Sequence, residues 1–273
     1  MKIPETVQYK MVFCDIDGTL IDSSHHITHK TKEKIQELSC AGIPFILVSA
    51  RMPSGIFPLV HELGINTSIV CFSGALTLDS KGKTIRSVGI DSKKALLVNA
   101  FIKRKWGHIS CSVYSYNDWI SDNILNEWIV QEGNITTSAP IERDISDYIL
   151  KKEYIHKILC MGKAESILEI NTELKKEFPE LSLYRSKETY LEIMDAAVSK
   201  ADAIKYLCKE YNIPIEATVS FGDNYNDIDM LLVTGISFAM GNAPEDVKKK
   251  AQKVTLDNDH EGVVKGLEQL KFL

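Results

Sequence analysis

Residues 9–14 (YKMVFC) run straight into residues 15–20 (DIDGTL), and this junction decides the fold. Six mostly apolar residues fit a short buried strand, and the strand ends in an acid. Working outward, residues 31–40 place Ile35 and Leu38 among charges and stop at Gly42, the pattern of an amphipathic helix. Residues 43–48 (IPFILV) read as a second buried strand. Residues 54–63 read as a helix with Pro58 near its first turn, and residues 68–72 (SIVCF) as a third strand. Strands separated by helices imply a parallel sheet with right-handed crossovers. The last seventy residues repeat the grammar: helices at 200–211, 226–232, 244–250 and 261–270 alternate with strands at 217–221, 236–239 and 253–256.

The middle of the chain differs. Residues 75–88 suit a hairpin around Asp79 and Gly82, and Asp91 suits the cap of a helix over 92–106. Strand patterns follow at 109–115, 154–161, 181–184 and 190–194, with a helix at 164–178. The expected architecture is therefore a doubly wound, Rossmann-like α/β core formed by residues 1–82 and 193–273. An α+β domain, residues 83–192, is inserted into it.

Composition narrows the function. Thirty-two basic against 37 acidic residues leave a net charge of −5, which argues against a nucleic-acid partner. No apolar run approaches the ~20 residues of a membrane span, and the start of the chain lacks the apolar stretch of a secretory signal. A cytoplasmic address follows as the expectation. The six cysteines (14, 40, 71, 111, 160 and 208) are scattered without a C-x-x-C pair, so reduced thiols are expected rather than a disulfide framework or zinc site. Nothing in the pattern demands assembly, and a monomer is expected.

In an open α/β sheet, ligands bind beyond the carboxyl ends of the strands. Asp15 and Asp17 stand there, and so do Asp223 and Asp227 after the strand at 217–221. Each pair has a plain structural reading: an Asp-Gly turn for the first, acids at a helix N-terminus for the second. If both loops share one sheet edge, four carboxylates gather and need a neutralising partner. An all-oxygen set suits Mg²⁺, and Mg²⁺ suggests phosphoryl chemistry. Ser49 at the end of the second strand and Lys200 at a helix start then become candidates. In isolation they read as a strand-end serine and a surface lysine.

Other chemistries fail on residues. Gly82-Lys83-Thr84 resembles the end of a phosphate-binding loop, but position 77 is Thr where Gly is required. No G-x-G-x-x-G or G-x-S-x-G occurs, and His61-Glu62 is followed by Ile65 where a zinc protease needs His. His25, His26 and His29 lack a partner at ligand spacing and read as a solvated loop.

The motifs carry a resemblance. Asp15-Ile16-Asp17-Gly18-Thr19-Leu20 resembles the first motif of the haloacid dehalogenase superfamily, D-x-D-G-T-[LI]. Ser49 matches the second and Lys200 the third. Gly222-Asp223-Asn224-x-Asn226-Asp227-x-x-Met230-Leu231 matches the fourth. The insertion resembles the C2B cap of the Cof-type phosphatases. The chain departs from the usual pattern in Ser73 for Asn before Gly74-Ala75, Ala50 for Gly after Ser49, and Ala201 for Gly after Lys200. None removes a chemical group that the implied mechanism needs.

The resemblance implies a Mg²⁺-dependent phosphatase. Asp15 would be the nucleophile that forms an aspartyl-phosphate, and Asp17 the general acid and then base. Asp15, the Asp17 carbonyl and Asp223 would hold Mg²⁺, with Asp227 behind them. Ile16 and Ala50 through their N–H groups, Ser49, Lys200 and Asn226 would hold the phosphoryl oxygens, and Thr19 would orient Asp17. Substrates would be small phosphorylated metabolites: sugar phosphates, nucleotides such as flavin mononucleotide, or pyridoxal phosphate. A phosphomutase of the same superfamily and a silent phospho-ligand sensor are the alternatives. A response-regulator-like pocket has no use for Asp17 or an inserted domain. Tyr114, Tyr116, Asp118, Trp119 and Arg185 are read as packing or surface of the insertion rather than as substrate contacts.

Overall fold

The structure, a computed structural model, describes residues 8–136 and 138–272. It divides into two compact units. The first comprises residues 1–50, 56–86 and 199–273, and the second residues 51–55 and 87–198. In chain order, the first unit opens with β1 (Met11–Cys14), α1 (His29–Cys40), β2 (Phe45–Val48), α2 (Phe57–Leu63), β3 (Ile69–Cys71), β4 (Leu76–Leu78) and β5 (Thr84–Ser87).

The second unit follows with β6 (Ile90–Asp91), α3 (Ser92–Lys105), β7 (Ser110–Ser115), β8 (Asp118–Ser121), α4 (Glu127–Thr136), β9 (Ile141–Glu142), α5 (Ile145–Ile149), β10 (Tyr154–Ile155), β11 (Lys157–Met161), α6 (Ala164–Glu177), β12 (Leu181–Lys187) and β13 (Tyr190–Asp195). The chain returns to the first unit with α7 (Lys200–Glu210), β14 (Thr218–Gly222), α8 (Ile228–Val233), β15 (Ile236–Ala239), α9 (Glu245–Lys248), β16 (Lys253–Val254) and α10 (Gly262–Leu267).

The first unit is built on an eight-stranded sheet in the order β16-β15-β14-β1-β2-β3-β4-β5. Every pair from β16 to β3 is parallel, and β4 turns back antiparallel to β3. The strands are short and buried on both faces, which is why they read as unbroken apolar runs. Met11, Phe13, Ile46 and Val48 pack on Ala203, Ile204 and Leu207 of α7. The chain leaves β1 toward β2 on one side and reaches β14 on the other, so the topological switch point lies between β1 and β14. Register fixes the level of the loops: Cys14 pairs with both Phe221 and Leu47. The residues after β1, β2 and β14 therefore emerge side by side.

The second unit carries a six-stranded, largely antiparallel sheet in the order β12-β13-β11-β7-β8-β9. Alternate residues of β7, β8, β11 and β13 (Val113, Ile120, Ile158, Ile193) face α3 and α6, whose Val98, Ile102, Ile167 and Ile170 complete the core. Asp91 caps α3 by accepting from Lys94 N–H at 3.1 Å, as its position suggested.

The unit edges differ from the boundaries read from sequence. The first unit runs to Arg86 rather than 82, because β5 joins its sheet as the edge strand. The second runs to Val198 rather than 192, because β13 extends to Asp195. Strand β8 and helices α4 and α5 have no counterpart in the sequence reading. All six cysteines are free thiols. His25, His26 and His29 are exposed.

Candidate active site

The site is built at the carboxyl ends of β1, β2 and β14. Asp15 follows β1, its N–H bonded to Phe221 O at 3.0 Å, and its side chain is buried. The next residues make a tight turn. Asp17 has φ −79° and ψ 117°, and Gly18 φ +79° and ψ 2°, the dihedrals of a type II turn, which requires positive φ at its third residue. Gly18 is needed for a second reason: a Cβ there would lie 2.4 Å from Asp223 Oδ2. Ile16 is buried inside this turn and Asp17 is exposed on it.

Lys200 is the first residue of α7, whose N-cap Ser199 accepts from Asp202 N–H at 2.9 Å. Gly74, at φ +108°, lets its loop lie against that helix start. A Cβ on Gly74 would stand 2.2 Å from Ser199 O. Far from being a surface lysine, Lys200 is 1 % exposed. Its ammonium donates to Asp15 Oδ1 (2.5 Å), Asp227 Oδ1 (2.5 Å) and Val48 O (3.4 Å), so all three of its donors are used.

Asp227 is fully buried at the start of α8. Its Oδ2 accepts the N–H groups of Asp223 (3.0 Å) and Asn224 (2.9 Å), which closes a capping box with Asn224. Gly222 allows this approach, since a Cβ there would meet Asp227 Cβ at 2.6 Å. Asp223 is partly buried, and its Oδ1 accepts the Thr19 hydroxyl at 2.7 Å. The sequence reading assigned Thr19 to orient Asp17; the bond its hydroxyl donates in the structure goes to Asp223. Ser49 is buried after β2, with Ala50 half-buried beside it, and Asn226 lies half-buried in the turn Tyr225–Asp227.

Electrostatics follow from this crowding. Burial pushes the Asp15 carboxyl well above the usual carboxylate range, with Asp227 and Asp223 adding to the rise and Lys200 opposing it. Burial raises Asp223 to about 6, against the stabilising hydrogen bond from Thr19. Burial disfavours the charged form of Lys200, but Asp15 and Asp227 more than offset it and its pKa is raised. Carboxylate oxygens of Asp15, Asp223 and Asp227 all lie within 4.8 Å of one another. With all three ionised, these carboxylates would face one ammonium with an excess of two negative charges, a repulsion that adds to burial in raising Asp15 and Asp223. An all-oxygen donor set with that excess fits a hard divalent cation such as Mg²⁺.

The family described as haloacid dehalogenase-like hydrolase matches residues 12–267, nearly the whole chain. This chain belongs to that family. It is 37 % identical over 263 residues to a Haemophilus influenzae protein named "Putative phosphatase", covering 96 % of this chain and 98 % of that one. It is 27 % identical to phosphatase YwpJ of Bacillus subtilis, over 96 % of this chain and 99 % of the relative. A haloacid dehalogenase-like hydrolase from Bacteroides thetaiotaomicron superposes with a TM-score of 0.87 at 27 % identity, covering 96 % and 99 % of the two chains.

As a haloacid dehalogenase-like hydrolase with phosphatase relatives, the protein is a phosphoric monoester hydrolase. The second unit corresponds to the inserted cap. Of the five aromatic or polar cap residues read as packing or surface, Tyr114 and Trp119 are buried and stacked at 5.7 Å. Asp118 accepts from Tyr148 and Lys152. The sequence reading had no signal for Asp229, whose Oδ2 accepts the Ala201 N–H at 3.1 Å and ties α7 to α8. Among the described residues, no helix is long and apolar enough to cross a membrane.

Proposed function

We propose that the protein is a Mg²⁺-dependent phosphatase of small phosphorylated metabolites that works through a phosphorylated Asp15. The observation that carries this reading is the buried Asp15 carboxylate held by Lys200 beside Asp223 and Asp227. Lys200 occupies Asp15 Oδ1, so Oδ2 is the oxygen we assign to attack phosphorus in line. As the bond between phosphorus and the leaving oxygen breaks, Asp17 gives its proton to that oxygen. Asp17, now a carboxylate, takes a proton from the water that attacks the aspartyl-phosphate. That attack releases inorganic phosphate and regenerates Asp15.

Lys200 offsets the anionic charge that Asp15 and the phosphoryl group bring together. Ser49, the N–H groups of Ile16 and Ala50, and Asn226 orient the phosphoryl oxygens, and positioning with positive charge is most of what this reaction needs. Asp15, the Asp17 carbonyl and Asp223 would hold Mg²⁺, which supplies Lewis-acid stabilisation of the phosphoryl charge when bound. Asp227 is already engaged by two N–H groups and Lys200, which suits a supporting place behind the metal.

The test is phosphate release from sugar phosphates, flavin mononucleotide, pyridoxal phosphate and p-nitrophenyl phosphate, with Mg²⁺ and with chelator. Mg²⁺-dependent release that Asp15→Asn abolishes supports the reading. Release that survives in a clean Asp15→Asn preparation contradicts it.

A further inference from the structure

The loop Met240–Ala243 has no part in the chemistry described above, yet it reaches the catalytic turn. The Asn242 Nδ2 amide donates to the carbonyl of Gly18 at 2.8 Å, across 224 residues of sequence. Its other side-chain atom, Oδ1, accepts the N–H of Asn258 at 3.3 Å. Asn258 in turn donates its own side-chain amide to Ile21 O at 3.0 Å. Two asparagines from different loops thus grip the segment that follows Asp15.

The loop bearing Asn242 is a rigid mount. Met240 is fully buried, and its N–H is bonded to Gly222 O at 3.0 Å, at the end of β14. Gly241 N–H is bonded to Leu256 O at 3.0 Å, and its Cα lies so close to the next loop that a Cβ would stand 2.7 Å from Asp257 N. Ala243 N–H closes the turn on Met240 O at 3.0 Å, and Pro244 starts α9. Backbone bonds therefore hold the loop on each side of Asn242, and only the amide projects.

Asn242 itself is exposed, so burial gives it little stabilising role. A solvated hydrogen bond of this kind adds little to stability, since water would satisfy the Gly18 carbonyl equally well. What water does not supply is a fixed position. Gly18 is the third residue of the type II turn that carries Asp17, and the Asn242 amide holds its carbonyl from outside the turn.

We propose that Asn242 is a positioning residue for the proton-transfer step: by holding the Gly18 carbonyl it fixes the turn that presents the Asp17 carboxyl to the leaving oxygen. This rests on the phosphatase reading above. A positioned acid contributes through geometry, and small misplacements cost rate without costing fold.

The experiment compares kcat/KM, which reports phosphoryl transfer to Asp15, for two substrates. One is an alkyl phosphate from the wild-type panel, whose leaving alkoxide needs a proton. The other is p-nitrophenyl phosphate, whose leaving phenolate does not. For Asn242→Ala, kcat/KM for the alkyl phosphate should fall roughly tenfold or more, while that for p-nitrophenyl phosphate stays within about twofold. Asn258→Ala removes the comparable bond to Ile21 O but leaves the Gly18 bond, and it should keep the wild-type ratio between the two substrates. A parallel fall for both substrates in Asn242→Ala, no change for either, or the same split in Asn258→Ala overturns the proposal. Wild-type protein inactive on every compound overturns the phosphatase reading instead.

Discussion

Gly18 faces the Asp223 carboxylate so closely that a methyl group on its Cα would stand 2.4 Å from Oδ2. Two loops from opposite sides of the switch point are thus in backbone-to-side-chain contact, and the acid turn has no room for a side chain at Gly18. Gly18→Ala adds that methyl and also forces an alanine to φ +79°. The backbone cost is roughly 1–2 kcal/mol, which lowers the melting temperature modestly. Displacing Asp223 costs far more in function, with kcat expected to fall roughly a hundredfold. Thermal melts and steady-state rates on the same preparation check both halves. Unchanged kcat would show that Asp223 has freedom the packing denies it.

Lys200 holds together the carboxylates of the candidate site. Its side chain has no solvent exposure and lies between Asp15 and Asp227, which are themselves almost or wholly buried. Removing one partner of a buried ion cluster leaves uncompensated charge. Lys200→Ala should therefore lose roughly 3–5 kcal/mol of unfolding free energy in addition to activity. Urea unfolding without Mg²⁺ measures it. A stability equal to wild type would mean that the carboxylates are relieved in some other way.

His156 in the cap predicts an acid-sensitive stability. Its Nδ1 accepts the Tyr116 N–H at 3.0 Å, so the neutral ring carries its proton on Nε2, 3.0 Å from Ser87 Oγ. Burial lowers its pKa from 6.5 to about 4, with Lys152 adding to the effect. Between those values the unfolded chain binds a proton that the folded chain refuses. The stability from this residue is complete above pH 6.5 and is lost as pH falls toward 4, by on the order of 3 kcal/mol. His156→Asn keeps an acceptor for Tyr116 and should flatten that part of the stability profile. An unaltered slope in the variant would assign the acid sensitivity to other groups.

Ser73 stands where the motif resemblance expects Asn, and it sits in the left-handed region, at φ +52°. Asn adopts that conformation with less strain than Ser, so Ser73→Asn should gain a few tenths to about 1 kcal/mol. Differential scanning calorimetry resolves a change of that size. A lower melting temperature would show that the serine side chain contributes something the backbone argument omits.

The sequence made the core legible because β1, β2 and β14 are buried on both faces and end abruptly in the candidate site residues. Apolar runs closing on Asp15, Ser49 and Asp223 could be seen without any structure. Lys200 was legible only through the motif order, since nothing local distinguishes a buried lysine from a solvated one.

Other features were hidden for physical reasons. The turn between β7 and β8 uses Tyr116 at φ +53°, a residue type that does not signal a tight turn, so β8 went unread. Strand β5 is a half-exposed edge strand (TIRS) without a buried run, which blurred the boundary between the units. The bonds from Thr19 to Asp223 and from Asn242 to Gly18 join residues 204 and 224 positions apart, and only the folded register brings them together.

The central claim is that Asp15 becomes phosphorylated. Asp17→Asn tests it most directly, because the variant lacks the base for the hydrolytic step. With p-nitrophenyl phosphate, which needs no acid, the first step should still run. Mixed with that substrate and Mg²⁺, Asp17→Asn should release a stoichiometric burst of p-nitrophenol. Acid quenching, proteolysis and mass spectrometry should then find the mass of one phosphoryl group on the peptide containing Asp15. Steady turnover without a burst, and with that peptide unmodified, would contradict a covalent mechanism through Asp15.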